Sequence, residues 1–151
     1  MSARDTLFAS GLPIEDFVFD EKVVAVFPDM INRSVPGYST IIAMIGTLSA
    51  EYAQPDSVCY DLGCSLGAAS LSMRHNIQAD RCSIVAVDNS TAMVEGCQEA
   101  LLRDSAIIPV EVRCEDILDT QISQASIVVM NFTLQFVEPN ARDALIKKVY
   151  Q

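Results

Sequence analysis

Val23, Val24, Phe27, Met30 and Ile31 recur at helical spacing through DEKVVAVFPDMINRSV, with Asp20 placed to cap the first turn and Pro28 to kink or break it. After PGY the same period returns from Ser39 to Tyr52 through Ile41, Ile42, Met44, Ile45 and Leu48. Two helices therefore come first. From about Ser57 short apolar runs alternate with amphipathic segments: SVCYDLG, GAASLSMRHNI, CSIVAVDN, STAMVEGCQEALLRD, PVEVRCED, ASIVVMNF and EPNARDALIKKVYQ. Their order predicts β-α-β-α-β, a short link, then β-α. Runs such as SIVAV and SIVVM are apolar on both alternating faces, the mark of parallel strands covered by helices on both sides. Right-handed crossovers then give a doubly wound α/β sheet. Ser90 suits the N-cap of the second sheet helix, and Pro139 suits the first turn of the last one.

No repeat or low-complexity tract divides the chain, so the boundary follows the change of pattern: a helical segment over 1–53 and an α/β domain over 54–151. The helical segment carries more apolar surface than one sheet face needs. Part of it is expected to lid a ligand and part to meet a second subunit. A sheet ending on SIVVMNF and one helix leaves a long apolar edge, which folded proteins avoid. The expectation is an incomplete sheet, the first half of a longer protein's fold.

Half of the 151 residues are apolar, enough for a real core. The formal net charge of −10 argues against the chain gripping a phosphate backbone and suits a cationic small molecule better. Cys59, Cys64, Cys82, Cys97 and Cys114 are widely spaced, with no CxxC pair and no Cys/His cluster, so they read as reduced, mostly buried thiols and imply no metal. MSARDTLFAS lacks the layout of a signal peptide, and the longest apolar run, around IIAMIG, is too short to span a bilayer. A cytoplasmic protein without membrane contact is expected.

In an open parallel sheet ligands bind beyond the carboxyl ends of the strands. The positions there are Asp61 to Gly67 after the first strand, Asp88 and Asn89 after the second, Asp116 and Ile117 after the third, and Asn131 after the fourth. A dinucleotide site needs G-x-G-x-x-G against a pyrophosphate. Gly63-Cys64-Ser65-Leu66-Gly67 misses the second glycine, and Asp61 at its base would repel a diphosphate. The same acid favours an ammonium or sulfonium. Asp88 can accept ribose hydroxyls, and Asp116 can accept an adenine amino group beside the backbone N–H of Ile117. A ligand like S-adenosylmethionine fits this set.

DLGCSLG, VDNSxAM, EDI and VVMNFTLQF resemble the class I S-adenosylmethionine-dependent methyltransferases, with their Rossmann-like fold. With FPDMIxRSVPGYS ahead of them, they closely resemble the carboxy-S-adenosyl-L-methionine synthase family, over essentially the whole chain. The resemblance implies a bacterial enzyme of tRNA wobble-uridine modification. It takes S-adenosyl-L-methionine and prephenate, releases phenylpyruvate, and places a carboxyl group on the methyl carbon. The carboxy-S-adenosyl-L-methionine then serves a tRNA carboxymethyltransferase, without direct nucleic-acid binding by the synthase. The family's ligand contacts fall on Tyr38, Gly63, Cys64, Ser65, Asp88, Asn89, Asp116, Ile117 and Asn131. All but Tyr38 coincide with the rim reached from strand order. The resemblance also implies a homodimer, and an arginine beyond the residues given that pairs with the added carboxylate.

No catalytic base is assigned. Cys64 has no base beside it in sequence and reads as unreactive. His75, next to Arg74, reads as part of a solvated turn, and Arg33 as a surface or capping residue. Phe132, Leu134 and Phe136 are either core or an apolar wall around the reactive carbon. Met30, Met44, Met73, Met93 and Met130 read as core fillers. Two rivals stay open: an ordinary methyltransferase of a small molecule or RNA, and a non-catalytic binding or scaffold module.

Overall fold

The computed structural model describes residues 21–151; the expected cap at Asp20 lies outside them. The elements are α1 (Glu21–Ser34), α2 (Tyr38–Tyr52), β1 (Val58–Leu62), α3 (Ala68–Asn76), β2 (Ser83–Asp88), α4 (Thr91–Leu102), β3 (Val110–Cys114), β4 (Ala125–Val129), a 3-10 turn (Leu134–Phe136) and α5 (Pro139–Tyr150). This is the order that the pattern predicts. The strands form a four-stranded sheet in the order β3-β2-β1-β4, and every pair is parallel.

Side-chain alternation sorts the core onto two faces. Cys59, Ile84 and Ile127 stand in register and pack with Met73 and Ile77 at the α3 end of the first face. Ala86 continues that face against Cys97 of α4. Tyr60, Leu62, Val85 and Val87 point the other way and pack with Leu145 of α5. Met73, Leu62, Ile84 and Leu145 are nearly inaccessible to solvent, and burying each such side chain contributes about 1.5–3 kcal/mol. The sheet is thus covered on both faces, as the unbroken apolar runs require.

Local signals at two helix starts behave as expected. The Ser90 hydroxyl caps α4 by accepting from the Met93 N–H at 3.3 Å, and Pro139 opens α5. Four cysteines are buried, Cys114 is exposed, and all five are free.

Two expectations need correction and a third is narrowed. Of the kink or break expected at Pro28, the break does not occur: α1 runs through it. Proline's fixed φ is compatible with a helix, and α1 is held by tertiary packing, with Val23 and Val26 buried and Val24 beside Gly96 of α4. Met44 is no core filler: with Leu48 and Tyr52 it forms an exposed stripe along α2. Met30 faces the ligand cleft described below, whereas Met73 and Met93 are buried as expected.

Candidate functional site

The carboxyl ends of the strands open into one cavity of about 330 Å³. That lies within the range of small-molecule sites, about 300–1,000 Å³. Its wall includes all ten residues singled out from the sequence, from Tyr38 on α2 to Asn131 after β4.

Backbone hydrogen bonds at the end of β2 fix the glycine loop. The N–H groups of Gly63 and Cys64 both donate to the Val87 carbonyl, at 2.8 and 2.9 Å. The Ser65 N–H donates to Asp88 Oδ2 at 2.9 Å, and the Ser90 N–H to Asp88 Oδ1 at 3.0 Å. Asp88 therefore braces the loop as well as bordering the cleft. Each of its oxygens keeps a further lone pair that can accept from a ligand's hydroxyl. Gly63 sits at φ +84°, and a Cβ there would lie 2.4 Å from the Thr133 side chain, so only glycine fits.

Asp61 is buried beneath this loop and accepts a hydrogen bond from the Ser70 hydroxyl of α3 at 2.6 Å. Burial pushes its carboxyl up to about 6; the bonds from Ser70 oppose that rise, and the charge of Asp88 adds to it. Tyr38 faces the same corner, where burial and then the charge of Asp61 raise its phenol. Without a cation this corner disfavours a second negative charge.

Asp116 closes a turn by accepting the Leu118 N–H at 2.8 Å. The Lys148 ammonium of α5 holds the far side of that turn through the carbonyls of Ile117 (3.0 Å), Leu118 (2.7 Å) and Thr120 (3.0 Å). Ile117 is anchored in the core while its backbone borders the cleft. After β4, Asn131, Phe132 and Thr133 form the last part of the wall, and Phe136 stands beside them.

Cys64 is buried, and a hydrogen bond with Cys97, then burial, pushes its thiol up, away from the nucleophilic thiolate. His75 lies away from the cleft against Asp104, with Nε2 and Oδ1 2.5 Å apart, and Arg33 pairs with Asp29 on the surface of α1. Phe27, Met30 and Ile31 of α1 line the cleft, on the helical segment expected in part to lid a ligand, although none of the three was singled out as a site residue. Other wall residues were not found in the sequence. Glu138 and Thr133 had no signal there, since their roles depend on contacts between distant segments.

Four acids, Asp61, Asp88, Asp116 and Glu138, border the cavity, and no Lys or Arg does among the described residues. Such a wall fits a cation carrying hydrogen-bond donors.

Fold and cleft together define an α/β nucleotide-type ligand domain, and comparison with known proteins gives its class. The chain belongs to the methyltransferase domain family, whose sequence profile matches residues 59–151. It is 58% identical over 149 residues to the carboxy-S-adenosyl-L-methionine synthase of Yersinia enterocolitica, covering 98% of this chain and 56% of that protein. Synthases of the same name from Yersinia pestis and Yersinia pseudotuberculosis match to the same extent. The chain thus spans just over half the length of these curated relatives. Among solved structures it superposes on an S-adenosyl-L-methionine-dependent methyltransferase from Methanococcus maripaludis with TM-score 0.64 and 22% identity, over 93% of this chain and 62% of that one. It also superposes on the magnesium protoporphyrin IX methyltransferase of Synechocystis, solved with bound SAM, with TM-score 0.59 and 15% identity, over 89% of this chain and 73% of that one. These two likenesses establish the Rossmann-like methyltransferase fold.

Proposed function

We propose that this chain is the ligand-binding half of an enzyme converting S-adenosyl-L-methionine and prephenate to carboxy-S-adenosyl-L-methionine and phenylpyruvate. The observation that carries this reading is a cleft whose charged wall residues are all acids, among them Asp88 and Asp116, which the synthase resemblance assigns to the ligand, and Asp61 at the base of the glycine loop. In it Asp61 and Tyr38 face the sulfonium and ammonium end, Gly63, Cys64 and Ser65 border the methionine part, Asp88 and Asn89 hold the ribose, and Asp116 and Ile117 hold the adenine. Asn131 borders the reacting carbon. The sulfonium, when bound, supplies an acidified methyl group. The protein's part is to orient it and exclude water, which the α1 residues Phe27, Met30 and Ile31 do by covering the cavity.

The overall change balances. Prephenate gives up its carboxyl and hydroxyl groups and becomes phenylpyruvate; a carbon–carbon bond replaces one methyl C–H bond, and the methyl proton leaves with the hydroxyl as water. A carboxylate among four acids needs a counter-charge, and the arginine implied by the resemblance, beyond residue 151, would supply it. The enzyme is read as a cytoplasmic homodimer whose product feeds a tRNA carboxymethyltransferase. The exposed stripe Met44, Leu48 and Tyr52 is the face offered to the second subunit. Leu48→Asp should then shift the full-length protein toward monomer in sedimentation, and an unchanged dimer would remove that assignment.

Mass spectrometry of ligand released from the full-length protein, purified with prephenate supplied, tests the reaction. The expected ligand is S-adenosylmethionine heavier by one carboxyl group in place of hydrogen. Recovering only unmodified S-adenosylmethionine or S-adenosylhomocysteine would favour an ordinary methyltransferase.

A further inference from the structure

Phe132 has φ +59°, a left-handed backbone that a bulky residue adopts only when its surroundings force it. It lies between Asn131 and Thr133 on the wall of the cleft and stays 40% exposed, so burial in the core does not explain the strain. Several bonds over-determine this turn. The Thr133 hydroxyl donates to the Leu62 carbonyl at 2.7 Å, tying the segment after β4 to the last residue of β1. Gln135 Nε2 donates to the Phe132 carbonyl at 3.0 Å, and the Phe136 N–H to the Thr133 carbonyl at 2.9 Å. From α5, Arg142 holds the carbonyls of Val137 and Gln135, at 2.8 and 3.2 Å.

The same Thr133 side chain fills the space that a side chain on Gly63 would need. One threonine thus sets both the height of the glycine loop and the twist of the Phe132 turn. Backbone strain kept at a partly exposed aromatic ring beside a ligand cavity is a device for presenting that ring, because an unstrained turn would point it elsewhere.

We infer that Thr133 is a positioning residue: its hydroxyl latches the turn after β4 onto the glycine loop and holds the strained Phe132 ring as a wall of the ligand cavity. The inference rests on the reading of that cavity as an S-adenosylmethionine site. It assigns the apolar-wall role to Phe132 and a ligand-organising role to a residue that touches the loop through Leu62 and Gly63.

Calorimetric titration of S-adenosylmethionine into wild type, Thr133→Val, Thr133→Ser and Phe132→Gly, with melting of each, tests it. Thr133→Val keeps the shape and removes the donor; it should bind about tenfold more weakly, the size of one lost hydrogen bond, and Thr133→Ser should restore binding to within about twofold. Phe132→Gly relieves the strain, so its melting midpoint should rise while its affinity falls. A merely structural residue would not separate affinity from stability in this way. Wild type binding the ligand while Thr133→Val binds equally well, or Phe132→Gly melting lower with affinity unchanged, would overturn the latch alone. Wild type binding no S-adenosylmethionine would overturn the site reading and the latch with it. If Thr133→Val does not fold, Thr133→Ser and Phe132→Gly decide.

Discussion

At the scale of single residues, Asp61 carries the sharpest consequence. Its carboxyl is pushed up to about 6 by burial, so in the free protein this group holds its proton up to about pH 6. The sign follows: its contribution to stability is full below the ordinary carboxylate range and is lost as pH rises through about 6. A cationic ligand needs the ionised form, so affinity runs the opposite way and improves as pH rises through about 6. Asp88, Tyr38 and Cys64 face the same corner, and all three line the cavity. Titrating S-adenosylmethionine at pH 5 and pH 7 should show about tenfold weaker binding at the lower pH, and Asp61→Asn should flatten that dependence. A pH-independent affinity in wild type would remove Asp61 from the role given to it. Much of this was legible in the sequence, because an acid at the lip of a glycine loop is a local pattern. Its hydrogen bond to Ser70, nine residues later, depends on how α3 packs and was not.

At the scale of elements, the seam between α2 and α3 joins the N-terminal helices to the sheet domain. Gly46 lets the two helices approach until a Cβ would stand 2.4 Å from Ser72 Oγ and 2.6 Å from Asn76 Nδ2, while Ser72 Oγ donates to the Ile42 carbonyl at 2.7 Å. Gly46→Ala should cost about 1–3 kcal/mol by overpacking, measured by denaturant unfolding, and Ser72→Ala in the same chain should return part of it. A second device is Lys148, whose ammonium is shared among three carbonyls of the Asp116 turn. Lys148→Met should lower stability by about 1–3 kcal/mol and loosen the turn, seen as faster amide exchange at Leu118 and Thr120. The periodicity was enough to order the elements, since parity on a strand and spacing on a helix are written residue by residue. Pro28 shows the limit: a local helix-breaking signal yields to packing of α1 against α4.

At the scale of the whole molecule, strand order and charge act together. Parallel strands bring four carboxyl ends to one side, and each end delivers a polar group to a single cavity, which is why nine of the ten positions named from the sequence meet there; Tyr38 reaches it from α2. The rim could be read from the sequence because topology converts strand ends into neighbours. The lid over it could be anticipated only as surplus apolar surface on α1, and the Thr133 contact not at all, because it joins residues 62 and 133 across the top of the sheet. The central claim is that this rim is acidic because its ligand is positive at sulfur. Calorimetry of one preparation with S-adenosylmethionine and, separately, with NAD tests it most directly. The account predicts specific heat and saturable binding for the sulfonium compound and none for the dinucleotide; saturable NAD binding that S-adenosylmethionine fails to displace would contradict it.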